Sequence, residues 1–213
     1  MAARRFGIIT ETDARQIERG ATVELDRGGH VTPLAWDTLR ERRVTVVPSG
    51  SVDPVLPADL APVTPVVRVA IGADHTGLAL KAALIDHLRK AGKAVTDHGT
   101  ATADAVDYPD IAATVGRAVV RNEADAGIVI DGAGLGSAIA ANKIRGIRAA
   151  MCATPTLARY AREHNGANVL ALGATLISTG EAIEIVDTFL STPMREARYI
   201  RRLLKIRRLE ERF

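Results

Sequence analysis

The stretch Val129-Ile130-Asp131-Gly132-Ala133-Gly134-Leu135-Gly136-Ser137 is an apolar run that breaks into three alternating glycines and continues into Ala138-Ile139-Ala140-Ala141-Asn142-Lys143. A strand that ends in such a turn and opens into a helix brings backbone N–H groups close to a ligand, because glycines let the main chain approach without Cβ clashes, and the geometry favours an anion. Asp131 then stands at the strand end, where ligands bind in an open α/β sheet. The pattern asks for a carboxylate beside an anionic substrate. Gly72-Ala73-Asp74-His75-Thr76-Gly77 puts two more ionisable groups on the same sheet edge, although Asp74 alone also reads as a helix cap. Asp107-Tyr108-Pro109 adds a phenol on a proline-stiffened turn, with a plain helix start as its alternative. His164-Asn165 closes a helix, a place where histidine otherwise serves the helix dipole. Arg198 and Arg202, four residues apart on one helical face, suit either a phosphate clamp of charge-assisted bonds or a solvated basic face.

Several chemistries are disfavoured by spacing. His30, His75, His87, His98 and His164 are scattered, without paired i, i+4 histidines or a Cys-x-x-Cys, so no metal is assigned and no cofactor is implied. The glycines run G-x-G-x-G, not G-x-G-x-x-G, and follow the third strand of their domain, which disfavours a nicotinamide or flavin site. The single cysteine, Cys152, excludes an internal disulfide, fits a reducing compartment and reads as a small buried hydrophobe. The formal charge of +3 is uneven: Arg195 to Arg212 holds eight Lys or Arg against three Glu. A nucleic-acid reading of that helix lacks both a DNA-reading motif and aromatics for stacking. No run approaches the ~20 apolar residues of a membrane span, and Met1 to Arg5 leads into no signal-like segment. The expectation is a soluble, cytoplasmic protein that partners neither membrane nor nucleic acid.

The elements that position these residues follow from periodicity. Five of the nine prolines fall between Pro48 and Pro65, which marks residues 49–65 as a linker. Before it, residues 1–48 form a small α+β docking module, too short to be comfortable as an independent domain. Phe6–Ile9, Thr22–Leu25 and Val44–Val47 read as strands, and Thr10–Arg19 and Thr32–Arg43 as helices. Thr10 and Thr32 are candidate N-caps, and Pro33 suits a first helical position. Residues 66–213 alternate between the two types. Strands are expected at Val66–Ile71, Ala94–Thr96, Ala126–Ile130, Arg148–Cys152 and Asn168–Leu172. Helices are expected at Leu78–Lys90, Tyr108–Asn122, Gly136–Ile144, Thr154–Glu163, Glu181–Leu190 and Arg195–Arg212. Right-handed βαβ crossovers then give an α/β, Rossmann-like three-layer sandwich around a five-stranded parallel sheet. With aromatics at 3%, its packing must rest on Ala, Val, Ile and Leu.

Taken together, Gly72 to Gly77, Asp107-Tyr108-Pro109, the glycine turn leading into Ala140-Ala141-Asn142-Lys143, Gly146-Ile147-Arg148-Ala149, and Arg162-Glu163-His164-Asn165 through Asn168 to Gly173 resemble the ribose-5-phosphate isomerase B family. That family includes the galactose-6-phosphate isomerase subunits. The match covers roughly residues 66–210. The resemblance implies aldose–ketose isomerisation of a phosphorylated sugar through a cis-enediolate, at active sites shared between subunits of a homodimer or tetramer. It implies that Asp74 and His75 handle substrate hydroxyls, Tyr108 contacts the substrate, His164 assists ring opening and Asn165 orients the sugar. Arg198 and Arg202 hold the phosphate, and the N–H groups of Gly132, Gly134 and Gly136 stabilise the oxyanion.

The departures from the family pattern bear on the base. One branch carries a cysteine where this chain has Asp131; another uses a glutamate shortly after the turn, where this chain has Ser137. The threonine two positions after that cysteine is Ala133 here, and the histidine after the first phosphate arginine is Tyr199. Asp131 is therefore the expected proton-transfer residue. A carboxylate becomes an effective base towards a carbon acid when it is buried with few compensating donors. The alternative from a different class is a non-catalytic sugar-phosphate binder or scaffold. Ile8 to Arg15, with Val31-Thr32-Pro33-Leu34-Ala35-Trp36-Asp37-Thr38-Leu39, resembles the short N-terminal segment of several ethanolamine-utilisation proteins, including the cobalamin adenosyltransferase associated with bacterial microcompartments. This second resemblance implies shell or cargo proteins as partners and a microcompartment lumen as a possible location.

Overall fold

The structure, a computed structural model, describes residues 4–48 and 60–211. The chain divides into two compact units, residues 1–56 and 57–213. Most of the proline-rich stretch, and the expected end of the terminal helix at Arg212, lie outside the described residues.

In the first unit, β1 (Arg5–Ile9), α1 (Glu11–Gln16), β2 (Thr22–Val31), α2 (Pro33–Glu41) and β3 (Thr45–Pro48) form a sheet of order β1-β2-β3. Its strands are parallel throughout. Thr10 caps α1 in a full capping box with Asp13, whereas Thr32 occupies the cap position of α2 without a side-chain bond. β2 is longer than its expected Thr22–Leu25. Pairing with β1 resumes beyond Asp26-Arg27-Gly28-Gly29, Phe6 facing Leu25 and Ile8 facing His30. Gly28 takes φ +85° in this bulge, and a Cβ on Gly29 would sit 2.5 Å from the Gly7 carbonyl oxygen.

The second unit contains β4 (Arg68–Ala73), a 3₁₀ turn (His75–Gly77), α3 (Leu78–Lys90), β5 (Ala94–Asp97), α4 (Tyr108–Val120) and β6 (Ala126–Asp131). It continues through α5 (Leu135–Ala141), β7 (Ala149–Met151), α6 (Pro155–Asn165), β8 (Val169–Gly173), α7 (Thr179–Ser191) and α8 (Ala197–Glu210). The all-parallel sheet has the order β5-β4-β6-β8-β7. Side-chain alternation divides the core between its faces. Val69, Ile71, Ile128, Ile130, Leu170 and Leu172 pack with Leu84 and Leu88 of α3 and with Ile185, Val186 and Phe189 of α7. Ala70, Val129, Val169 and Ala171 face Ala112 and Val115 of α4 and Ala138 and Ala141 of α5. This second face uses small residues, so its helices ride close to the strands: a Cβ on Gly127 would lie 2.8 Å from Val115.

The chain leaves β4 first to one side, to β5, and then to the other, to β6. The carboxyl ends of β4 and β6 therefore flank the switch point where open parallel sheets bind their ligands. Asp74 follows the first and Asp131 ends the second.

Candidate active site

Asp131 is 6% exposed, as its strand position requires. Its Oδ1 accepts the N–H groups of Ala133, at 2.8 Å, and Gly134, and its Oδ2 accepts that of Ser137 at 2.8 Å. Here the expectations of a turn amide aimed at substrate and of a sparsely solvated carboxylate are corrected. Aspartate readily accepts the N–H two residues on, and the left-handed Gly134, at φ +75°, curls the turn back onto the carboxylate. Of the three glycines assigned to the oxyanion, Gly134 spends its N–H on Asp131. Gly136 is the second residue of α5, among the first N–H groups of a helix, which lack intrahelical acceptors. A carboxylate offers about four acceptor sites; three are used, and the remaining lone pair belongs to Oδ2.

Asp74 is buried and takes the helix-cap geometry: its Oδ1 accepts the Thr76 N–H at 2.9 Å and the Thr76 hydroxyl at 2.5 Å. His75 is exposed, and the Val106 N–H points at its Nδ1 from 3.5 Å. Tyr108 opens α4 and lays its ring over the glycine turn, so that a Cβ on Gly136 would fall 2.5 Å from Cζ. Thr76 closes the other side, its Oγ1 3.8 Å from where a Gly132 Cβ would lie. Asp74, His75, Tyr108, Asp131, Gly132, Gly134 and Gly136 thus share one edge of the sheet.

A second group forms around α6 and α8. His164 is stacked on Tyr160, with ring centroids 4.7 Å apart and planes 16° apart, and is covered by Tyr199 at 4.7 Å. Asn165 donates from Nδ2 to the Tyr160 carbonyl at 3.3 Å. The guanidinium groups of Arg198 and Arg202 lie 4.7 and 5.5 Å from the centre of the Tyr199 ring. Arg198 also donates to the Tyr199 hydroxyl at 2.9 Å and pairs with Glu196 at 2.5 Å. Among the described residues Arg202 has no carboxylate partner, and no hydrogen bond, ion pair or ring contact joins the two groups within one chain.

Two supporting residues escaped the sequence reading. Thr76 ties down Asp74. Lys81, buried on the core side of α3, donates to both Asp97 oxygens, at 2.7 and 2.9 Å, and to the Thr100 carbonyl at 2.7 Å. That loop in turn bonds Ala73, just before Asp74, through Ala73 N–H to Gly99 O and Thr100 N–H to Ala73 O. The legible signal was a lysine three residues before Leu84, on the apolar stripe. Cys152 is buried and free, and burial pushes its thiol up to about 11, leaving it protonated at neutral pH. Among the described residues no group of three or more His, Cys, Asp or Glu is placed to hold a metal, and no helix is long and apolar enough to cross a membrane.

A parallel sheet with acids, imidazole and a glycine turn gathered at its switch point defines an α/β protein built to work on a small polar ligand. Residues 69–206 match the model described as Ribose/Galactose Isomerase, and the chain belongs to that family. Ribose-5-phosphate isomerase B of Escherichia coli (strain K12) is 41% identical over 145 residues, spanning 68% of this chain and 97% of that protein. That of Mycobacterium leprae is 40% identical over 141 residues, spanning 66% and 87%. The structure of Clostridium thermocellum ribose-5-phosphate isomerase B superposes with a TM-score of 0.68 at 46% identity, covering 68% of this chain and 99% of that one. The Mycoplasma genitalium enzyme with bound ribulose-5-phosphate gives 0.67 at 40% identity, covering 69% and 98%.

Proposed function

We propose that this protein interconverts an aldose phosphate and its ketose, ribose 5-phosphate and ribulose 5-phosphate or a close analogue, with Asp131 moving the proton. The observation that carries this reading is a buried carboxylate with one open lone pair at the switch point of a chain in an isomerase family. Oδ2 of Asp131 takes the proton from C2 of the open-chain aldose. The C–H electrons form the C1=C2 bond, and the negative charge passes to O1. The same carboxylic acid then returns the proton to C1, while the O2 hydroxyl proton moves to O1, which leaves a carbonyl at C2. The N–H groups of Leu135 and Gly136 at the start of α5 serve the developing oxyanion, Asp74 and His75 the hydroxyls, and Tyr108 the sugar face. His164 assists ring opening, Asn165 orients the sugar, and Arg198 and Arg202 hold the phosphate. Because these four stand apart from Asp131 in one chain, the site is completed by a second copy, in a homodimer or tetramer.

Purified protein should exchange ribose 5-phosphate with ribulose 5-phosphate and carry solvent deuterium into the sugar at C1 or C2. Absence of both, across tetrose, pentose and hexose phosphates, would overturn the reading. The three N–H donors on Asp131 favour a second reading, in which the carboxylate only pins the turn of a non-catalytic sugar-phosphate binder. That protein would bind ribose 5-phosphate in a calorimeter without exchanging any C–H with solvent. The first unit serves as a docking module for microcompartment shell or cargo proteins, which co-purification with co-expressed shell proteins tests.

A further inference from the structure

Residues 60–67 precede or only begin the family-type core, yet they are tied down at several points. Leu60 is 4% exposed and clusters with Met194, Tyr199 and Leu203. Its carbonyl accepts Nη2 of Arg148 at 3.2 Å. The Val63 carbonyl accepts Nη2 of Arg162 at 2.9 Å, and the Val66 carbonyl accepts Nζ of Lys93 at 2.7 Å. Arg162 is wholly buried, gives its other terminal nitrogen to the Ala167 carbonyl, and lies over the Phe189 ring at 5.0 Å. Its Nε has no partner among the described residues. Burial, and then the neighbouring Arg148, lower its pKa to about 10, so it still carries its charge at neutral pH. A buried cation held only by carbonyls and a ring face is retained at a cost. Here its donors fasten this segment beside the turn that ends in His164 and Asn165.

What Leu60 packs with is the informative part. Tyr199 covers His164 and carries both arginines over its ring, so whatever seats Tyr199 seats the proposed phosphate site. We infer that residues 60–66 are a clasp that positions α8, with Leu60 as a positioning residue for Arg198 and Arg202. This rests on the proposed role of those arginines.

The test is Leu60→Ala in the full chain, which keeps the carbonyl bonded by Arg148 and removes only the side chain under α8. Hydrogen exchange of the amides of residues 197–210 should quicken about tenfold or more, while those of β4, β6 and β8 keep their protection. KM for ribose 5-phosphate should rise about three- to tenfold with kcat within about twofold, since phosphate binding is weakened and the chemistry at Asp131 is untouched. Unchanged exchange in α8, or looser α8 with unchanged KM, overturns the clasp and leaves the isomerase reading intact. A wild-type protein without turnover sinks the catalytic reading instead; the dissociation constant for ribose 5-phosphate then replaces KM and must shift the same way. A wild type that neither turns over nor binds the sugar overturns both. Leu60→Val, should the alanine variant fail to fold, is expected to move both readouts in the same direction by less.

Discussion

At the scale of single residues, the decisive group of the proposed reaction is Asp131, held by three main-chain donors yet left one acceptor site on Oδ2. Asp131→Asn replaces one oxygen by an amide that cannot take a proton, and should lower solvent-deuterium exchange into the sugar by about 10²–10⁴-fold, as loss of a general base does. Asp131→Cys should keep measurable turnover, because a thiolate there restores the group one branch of the family uses; the ribulose 5-phosphate assay checks both. Gly136→Ala pushes a methyl against the Tyr108 ring, the movable end of a side chain. That variant should stay folded and show a several-fold higher KM.

At the scale of elements, the turn and the strand starts are held by specific main-chain requirements. Gly134→Ala meets backbone, with Leu172 C at 2.8 Å and Gly173 N at 2.9 Å, in a left-handed residue. It should therefore destabilise the domain by about 2 kcal/mol or more in denaturant unfolding, well beyond Gly136→Ala. Asp125 joins the starts of β4 and β6: its Oδ2 accepts the N–H groups of Val67 and Arg68, and its Oδ1 pairs with the Arg68 guanidinium at 2.6 Å. Burial by itself would push this carboxyl up, but the Arg68 N–H and guanidinium and the Val67 N–H outweigh it and hold it below the ordinary carboxylate range. A lowered folded value means that the stabilisation is complete above the unfolded value of about 3.9 and is lost as pH falls through the folded one. Asp125→Asn should therefore cost about 2 kcal/mol at neutral pH and flatten the acid limb of stability, measured by thermal unfolding from about pH 7 down to about pH 3.

At the scale of the whole molecule, the proposed site needs groups from both edges of the domain, and one chain does not unite them. In the proposed homodimer, Asp131→Asn and Arg202→Ala proteins, each expected to be inactive alone, should regain about a quarter of wild-type activity when mixed and reassorted. Half of the dimers are then mixed, and each mixed dimer of two-fold symmetry keeps one intact site. No recovery would place both groups in a site formed within a single chain.

The alternation of strands and helices was legible in the sequence, because each element's apolar period is local and the parallel sheet follows from it. The glycine turn and the Thr10 cap are local too. Four features were decided only by the tertiary structure. β2 runs through Asp26-Arg27-Gly28-Gly29 because β1 lies alongside to pair with it. The N–H groups of Ala133, Gly134 and Ser137 turn to Asp131 because left-handed Gly134 curls the backbone over a strand end that the sheet buries. Tyr199 over His164 and Leu60 beneath α8 join residues far apart in sequence; such contacts leave no periodic trace, since packing selects them by shape once the sheet has closed.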